Sequence, residues 1–393
     1  MRSAYFSLLL LAGIPYSAGH RRHFGLSKRH GVDFTPAQIA AVKARLAAGA
    51  TQSWEVGTRA TALLELDYPN LFLYRENSIP PKLRGGGAGS EVFAIVDWVV
   101  QKKPSHIPTF WDVAAAGDPP SIGIPALIRN WTGTGKISRT AGVDATSQLE
   151  FLLYTNWRTP KGAMSHRRPP QPVQLWSDFL SMAPPFISHY GALQNNRTLV
   201  YEGYRQCKLY REALLDGSGL LQHIILGASG QDHLHWSTGN AWAVNGMLRV
   251  LRIIQLSDFA LEFKSEQSDL IGWITTLLQK VWSFQQDDGS ILNYIDENPN
   301  SGLHHVFHES SGTALFAACT YRLATILRGK IPGNLLASAE KARQHIIAKI
   351  GSDGWLEGVV NPMNWRVAGE HSAEGQAFVV MLAAAHRDWK GSE

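Results

Sequence analysis

Residues 310–327 read SSGTALFAACTYRLATIL, and the spacing of their apolar side chains decides the kind of fold. Leu315, Phe316, Cys319, Leu323 and Ile326 recur three or four residues apart, which lines them up as one stripe of a helix. Residues 373–388 repeat the pattern with Ala377, Phe378, Met381, Leu382 and Ala385. Working outward, the same periodicity predicts helices over 35–46, 90–101, 147–154, 173–190, 199–215, 240–256, 269–284 and 335–350. Weaker stretches at 58–66 and 122–130 bring the number to about twelve, which pairs into six hairpins. Short Gly, Pro, Asn or Asp breaks separate the stretches and imply antiparallel neighbours, while alternating strand-like runs are scarce. The expected class is all-α.

Composition narrows the function classes. With 45% hydrophobic and 18% charged residues the chain is of the globular type, and no segment offers the roughly 18 uninterrupted apolar residues of a membrane span. The net charge of +5 comes from scattered Lys and Arg, which speaks for acidic sugars rather than nucleic acid as partner. At the start, Arg2 is followed by the apolar run 5–14 and the small residues Ser17 and Gly19, the pattern of an export signal over 1–19. A buried first helix is the other reading of that run. The basic stretch 20–34, with the pair Lys28-Arg29, reads as a tail or propeptide, and 35–393 as one domain. Sequons at Asn130 and Asn196 fit an extracellular, glycosylated protein. Cys207 and Cys319 permit one disulfide, but both sit in apolar helical patterns that suit buried thiols equally well.

Trp, His, Asp and Gly crowd into a few stretches just before helices. These are GAMSHRR (162–168), QLWSDFLSMAPPF (174–186), GLLQHI (219–224), DHLHWSTGNAWAVNG (232–246), DDGSILNYIDE (287–297), HESSGTALFAA (308–318), DGWLEGVV (353–360) and EGQAF (374–378). The chain holds 13 Trp, and flat apolar rings stack on the CH faces of pyranoses while carboxylates, amides and imidazoles bond hydroxyls. The likeness of Asp287-Asp288-Gly289 to Asp353-Gly354-Trp355 points to a repeated hairpin turn.

These motifs, in order from Gly162 to Trp389, resemble the unsaturated glycuronyl hydrolases, in particular the unsaturated rhamnogalacturonyl hydrolases of the six-hairpin superfamily (glycoside hydrolase families 105 and 88). GAMSHR is similar to that family's GGFWHK stretch, WSDFLSMAPPF to its W-x-D-x-x-x-M-x-x-P-F helix, and HWSTGNAW to its W-A-R-G-x-x-W turn. GLLQHI resembles the segment after its D-x-x-x-G turn, and HESSGTALFAACTYRLA its late Ser-rich helix start. The resemblance implies an (α/α)6 barrel. It also implies a glycoside hydrolase acting on unsaturated uronic-acid oligosaccharides from pectin or related polysaccharides, by protonating the vinyl ether and adding water at the neighbouring carbon. Residues 35–156 show helices and no such motif.

On that resemblance Asp178 is the expected catalytic acid, with Trp176, Phe179 and Met182 supplying an apolar surround that raises its pKa. The family's second Asp would fall on Leu226, so Asp232 is the expected substitute. Thr238 stands where the family has the Arg that grips the uronyl carboxylate, and Arg167 or Arg168 is the candidate replacement. His166, Trp176, His223, His235, Trp236, Asn240, Trp242 and Glu309 are the expected sugar-binding residues. Trp236 and Trp242 as core anchors and Glu309 as a helix-dipole partner are the plainer readings of those three. His166, His223 and His235 lack metal-ligand spacing, so neither metal nor cofactor is expected. A polysaccharide lyase using Tyr190, Tyr201 or His235, and a silent sugar-binding protein, are the competing classes.

Overall fold

The computed structural model describes residues 32–82 and 89–392, so the expected signal (1–19) and most of the basic stretch 20–34 lie outside the described residues. In chain order the α-helices among them are α1 (Pro36–Gly49), α2 (Ser53–Asp67), α3 (Ser90–Lys102), α4 (Gly123–Thr132), α5 (Gly135–Glu150) and α6 (Phe179–Leu193). They continue with α7 (Arg197–Leu214), α8 (Ser237–Leu256), α9 (Lys264–Trp282), α10 (Ser310–Ile326), α11 (Gly333–Ala348) and α12 (Ala373–Lys390). The even-numbered helices close an inner ring, α2 packing on α4 and so on round to α12, which returns to α2. The odd-numbered ones lie outside, each against an inner helix, and residues 33–393 form one unit. This is the (α/α)6 barrel.

Sequence explains which helices go where. A helix that is apolar or small all round must be buried all round, and α10 is buried at every position from Ser310 to Ala324. Outer helices such as α7 bury only one stripe, here Val200, Gly203, Tyr204, Cys207, Tyr210 and Leu214 among others. Close crossing of α6 and α8 needs Gly246, because a Cβ there would meet the Leu180 carbonyl oxygen at 1.9 Å. Far from the helix starts, Glu65 of α2 accepts from Arg249 of α8 and Arg322 of α10, both at 3.1 Å, and Arg322 pairs with Asp388 of α12. A buried network of this kind holds a register more than it adds net stability. Cys207 and Cys319 are buried free thiols on α7 and α10. Among the described residues no helix is long and apolar enough to cross a membrane.

The helix expected over 173–190 starts later. Residues Gln174–Trp176 form β1, antiparallel to β2 (Ile224–Leu226), and the helix begins at Phe179 with Asp178 as its N-cap residue. Two further strand pairs, β3 (Ile291–Leu292) with β4 (His308–Glu309) and β5 (Val359–Asn361) with β6 (Asn364–Gly369), lie before α10 and α12. The expected repeat of the hairpin turn is present: Gly289 donates to Gln286 and Gly354 to Gly351, both at 2.9 Å. Both glycines sit at positive φ, 97° and 89°, where a side chain would be strained.

Candidate active site

The short strands stand at the N-terminal ends of the inner helices, and they position the site. Residues 114–117 run beside 166–168, with Ala116 donating to the His166 carbonyl at 2.7 Å and Arg168 to that of Ala114 at 2.9 Å. That pairing places Asp118 next to His166. It requires Gly117, since a Cβ there would lie 2.4 Å from His166 Nδ1. Ser177 in turn donates to the His223 carbonyl at 2.9 Å, which sets Asp178 beside the His223 ring.

The result is a cavity of about 220 Å³ lined by Trp54, Asp118, His166, Arg167, Trp176, Asp178, Met182, His223, Trp236, Trp365 and Glu374, together with Ala115, Pro362 and Met363. Its walls are aromatic. Trp176 stacks on His166 with ring centres 4.7 Å apart, and Trp365 meets Trp176 edge-on at 5.4 Å. The Arg167 guanidinium lies 4.8 Å from the Trp176 ring centre, and Gln174 Oε1 accepts from both Arg167 Nε and Trp176 Nε1. Arg167 is therefore held at the wall with its other nitrogens available.

Two carboxyl groups in this cavity are driven apart in proton affinity. Burial and the negative charge of Asp178 push the Asp118 carboxyl up to about 7, the Arg167 charge offsetting only part of this. Burial acts on Asp178 too, but the His223 imidazole 3.5 Å away outweighs it and holds that carboxyl below the usual range. The apolar surround expected to raise Asp178 is present, yet the imidazolium beside it decides the sign. Burial opposes the charged form of His223, but Asp178 on one side and Asp232 on the other, the latter 3.0 Å from Nδ1, raise it above the usual imidazole range. His166 is neutral, burial lowering it to about 3. Asp118 with its raised carboxyl and Asp178 with its lowered one face the same space, the pattern that separates proton donor from proton acceptor.

His166, Trp176, Asp178, His223 and Trp236 thus meet at one cavity, as expected from sequence, and other expected residues stand elsewhere. Asp232 is 1% exposed behind His223, where it also accepts from Tyr294 Oη at 2.6 Å and Arg366 at 2.9 Å. It holds His223 rather than facing a ligand. Leu226 ends β2, 44% exposed and outside the cavity lining. His235 bridges Asp216 and Asp296 at 2.9 Å each, tying two loops together. Asn240 clamps the backbone of Leu221 from both sides at 2.9 and 2.8 Å, and Trp242 is core, edge-on to Phe378.

Glu309 caps α10, accepting from the amides of Ser311 (2.7 Å), Gly312 (2.6 Å) and Val360 (3.2 Å). Glu309→Ala should accordingly cost at least about 2 kcal/mol of stability, because three buried donors lose their acceptor. Denaturant melts measure this, and an unchanged midpoint would contradict the capping role.

Asp118, Trp54, Trp365 and Glu374 were not singled out in the sequence. The signal for Asp118 was faint: an acid between Gly117 and Pro119-Pro120, just ahead of an apolar helix. Among the described residues no cluster of three His, Cys, Asp or Glu side chains is arranged to hold a metal ion.

Residues 123–371 match the family described as Glycosyl Hydrolase Family 88. The chain belongs to glycosyl hydrolase family 88. Unsaturated rhamnogalacturonyl hydrolase YesR of Bacillus subtilis (strain 168) is 24% identical to this family 88 chain over 197 residues, 46% of this chain and 55% of that one. The chain thus matches about half the length of that curated relative. Among solved structures, a possible member of the GH105 family from Klebsiella pneumoniae subsp. pneumoniae MGH 78578 superposes with a TM-score of 0.68 at 18% identity, over 96% of this chain and 99% of that one. A polysaccharide lyase superposes at 0.65 with 15% identity, over 91% and 98%. At such identities the likeness is one of fold, and the same fold evidently serves both names. What the family 88 chain does must be argued from its own cavity.

Proposed function

We propose that this family 88 protein hydrolyses unsaturated uronyl residues from the ends of oligosaccharides released by lyases from pectin or a related polysaccharide. The observation that carries this reading is the pairing of Asp118, protonated below about pH 7, with the carboxylate of Asp178 in one aromatic cavity. Asp118 donates its proton to the double-bond carbon of the vinyl ether, and the adjoining carbon becomes oxocarbenium-like. Water adds there, and Asp178 takes the proton that the water loses. The hemiketal so formed opens to a ketone, and the hemiacetal left at the other end of the ring releases the next sugar. Arg167 pairs with the uronyl carboxylate, in place of the Arg absent at Thr238, and Trp176, Trp236 and Trp365 wall the space that the ring fills. A second hollow of about 230 Å³ on the other side of Arg167, bordered by Gln171, Gln174 and Ser229, has room for the following sugar.

A conjugated uronate absorbs in the ultraviolet, which gives a direct test. Incubation with a lyase-generated unsaturated disaccharide should make that absorbance fall. A rise on intact polysaccharide would identify a lyase instead, and sugar binding with no change in absorbance would identify a silent binder.

A further inference from the structure

Three inner helices begin at the cavity end with a buried glutamate, and the three are not equivalent. Glu55 of α2 accepts from the amides of Thr51 and Gln52, both at 2.9 Å. Glu309 spends both oxygens on the amides that begin α10 and on Val360. Glu374, in the first turn of α12, takes no such amide: Ser372 Oγ already accepts from Gly375 at 3.0 Å. Its Oε2 accepts from Trp54 Nε1 at 3.2 Å, and its Oε1 is buried without a partner. Glu374 is 2% exposed and lines the cavity beside Trp54 and Asp178. A buried polar oxygen left unbonded costs free energy, so one in the wall of a binding cavity is accounted for by a ligand that completes it.

We propose that Glu374 is a sugar-contacting residue whose Oε1 bonds a ring hydroxyl of the uronyl group in the cavity, selecting a sugar that carries that hydroxyl free. The proposal rests on the sugar-binding reading of this cavity. Its chemistry follows from the partners already present. An indole N–H only donates, so Oε2 is the acceptor oxygen and any proton on the carboxyl sits on Oε1. Burial, with the charges of Glu55, Asp178 and Glu309 added, holds the group well above the usual carboxylate range and so favours its neutral form. A neutral acid can donate to a hydroxyl oxygen without bringing a further negative charge near Asp178. An ester or ether at that hydroxyl would meet the carboxyl with added bulk, at a position where Glu374 and Trp54 already hold each other.

The contact serves substrate and transition state alike, so its loss should appear in KM and not in kcat. With an unsaturated digalacturonate as probe, Glu374→Leu should raise KM by about tenfold or more while kcat stays within about twofold. Glu374→Gln is nearly isosteric and its amide can still donate, so its KM should stay within about threefold of the native value. A Leu variant with native melting behaviour and native KM would overturn the assignment, as would a Gln variant that loses kcat and not affinity. Soaking native crystals with galacturonate separates this contact from turnover. A ring hydroxyl within hydrogen-bond reach of Oε1 supports it even where the probe is not hydrolysed, and a bound sugar that leaves Oε1 unpartnered refutes it. Failure of the native protein to bind either sugar would overturn both this contact and the sugar-binding reading beneath it.

Discussion

Asp118→Asn should lower kcat on an unsaturated uronide by about 10²- to 10⁴-fold, the usual range for loss of a general acid, with KM changed much less. Amide and carboxyl occupy the same space, and the Asp118 side chain caps no helix, its nearest ionisable partner being His166 Nε2 at 3.5 Å. The fold should therefore survive. The pH profile supplies the sharper signature. A donor raised to about 7 is in its active form below that value, so native activity should decline as pH climbs through it. Asp178 must be ionised, and its carboxyl lies below the usual range, so the acid limb should fall off only at low pH. In the Asn variant the residual rate should lose its alkaline limb near 7. Near-native turnover with the limb intact would remove Asp118 from the reaction.

Asp178→Asn is expected to be as damaging, again by about 10²- to 10⁴-fold in kcat, since an amide cannot take a proton from the attacking water. A structural role would predict unfolding instead, but the Asp178 side chain makes no N-cap hydrogen bond to α6. Its contacts are with His223 and, at 3.4 Å, Ser177 Oγ. Far-ultraviolet circular dichroism of the variant should match the native spectrum. A second consequence sets this variant apart from Asp118→Asn. Removing the Asp178 charge removes one of the causes that raise Asp118, so the alkaline limb should move to lower pH. An Asp178→Asn protein that turns over normally would exclude Asp178 as the acceptor. One that fails to fold would point to a structural carboxylate.

Asp178 was legible because its neighbours in sequence, Trp176 and Phe179 to Phe186, carry a local pattern around it. Its protonation was not, because the deciding imidazole belongs to His223, 45 positions onward, brought near by the pairing of β1 with β2. Asp232 is a carboxylate of the right type for a second acid, but its backbone pairs with Ile224 and its side chain stands behind His223. Asp118 lay 60 positions before Asp178 in a stretch without a recognisable motif, and the pairing of 114–117 with 166–168 delivered it. His235, Asn240 and Glu309 show the same limit from the other side. Each has donors or acceptors suited to sugars, and each spends them on protein groups that sequence does not reveal.

By itself the sequence determined most of the helices, because helical hydrogen bonds and apolar stripes join residues only three or four positions apart, while their sorting into ring and periphery came from the packing. Residues 174–176 leave the expected helical run because β2 lies beside them, a partner that only the tertiary structure supplies. Only the tertiary structure decided which acids face the cavity and which of them keeps its proton. Those outcomes rest on burial and on charges within a few ångströms, supplied by residues many positions apart in the chain.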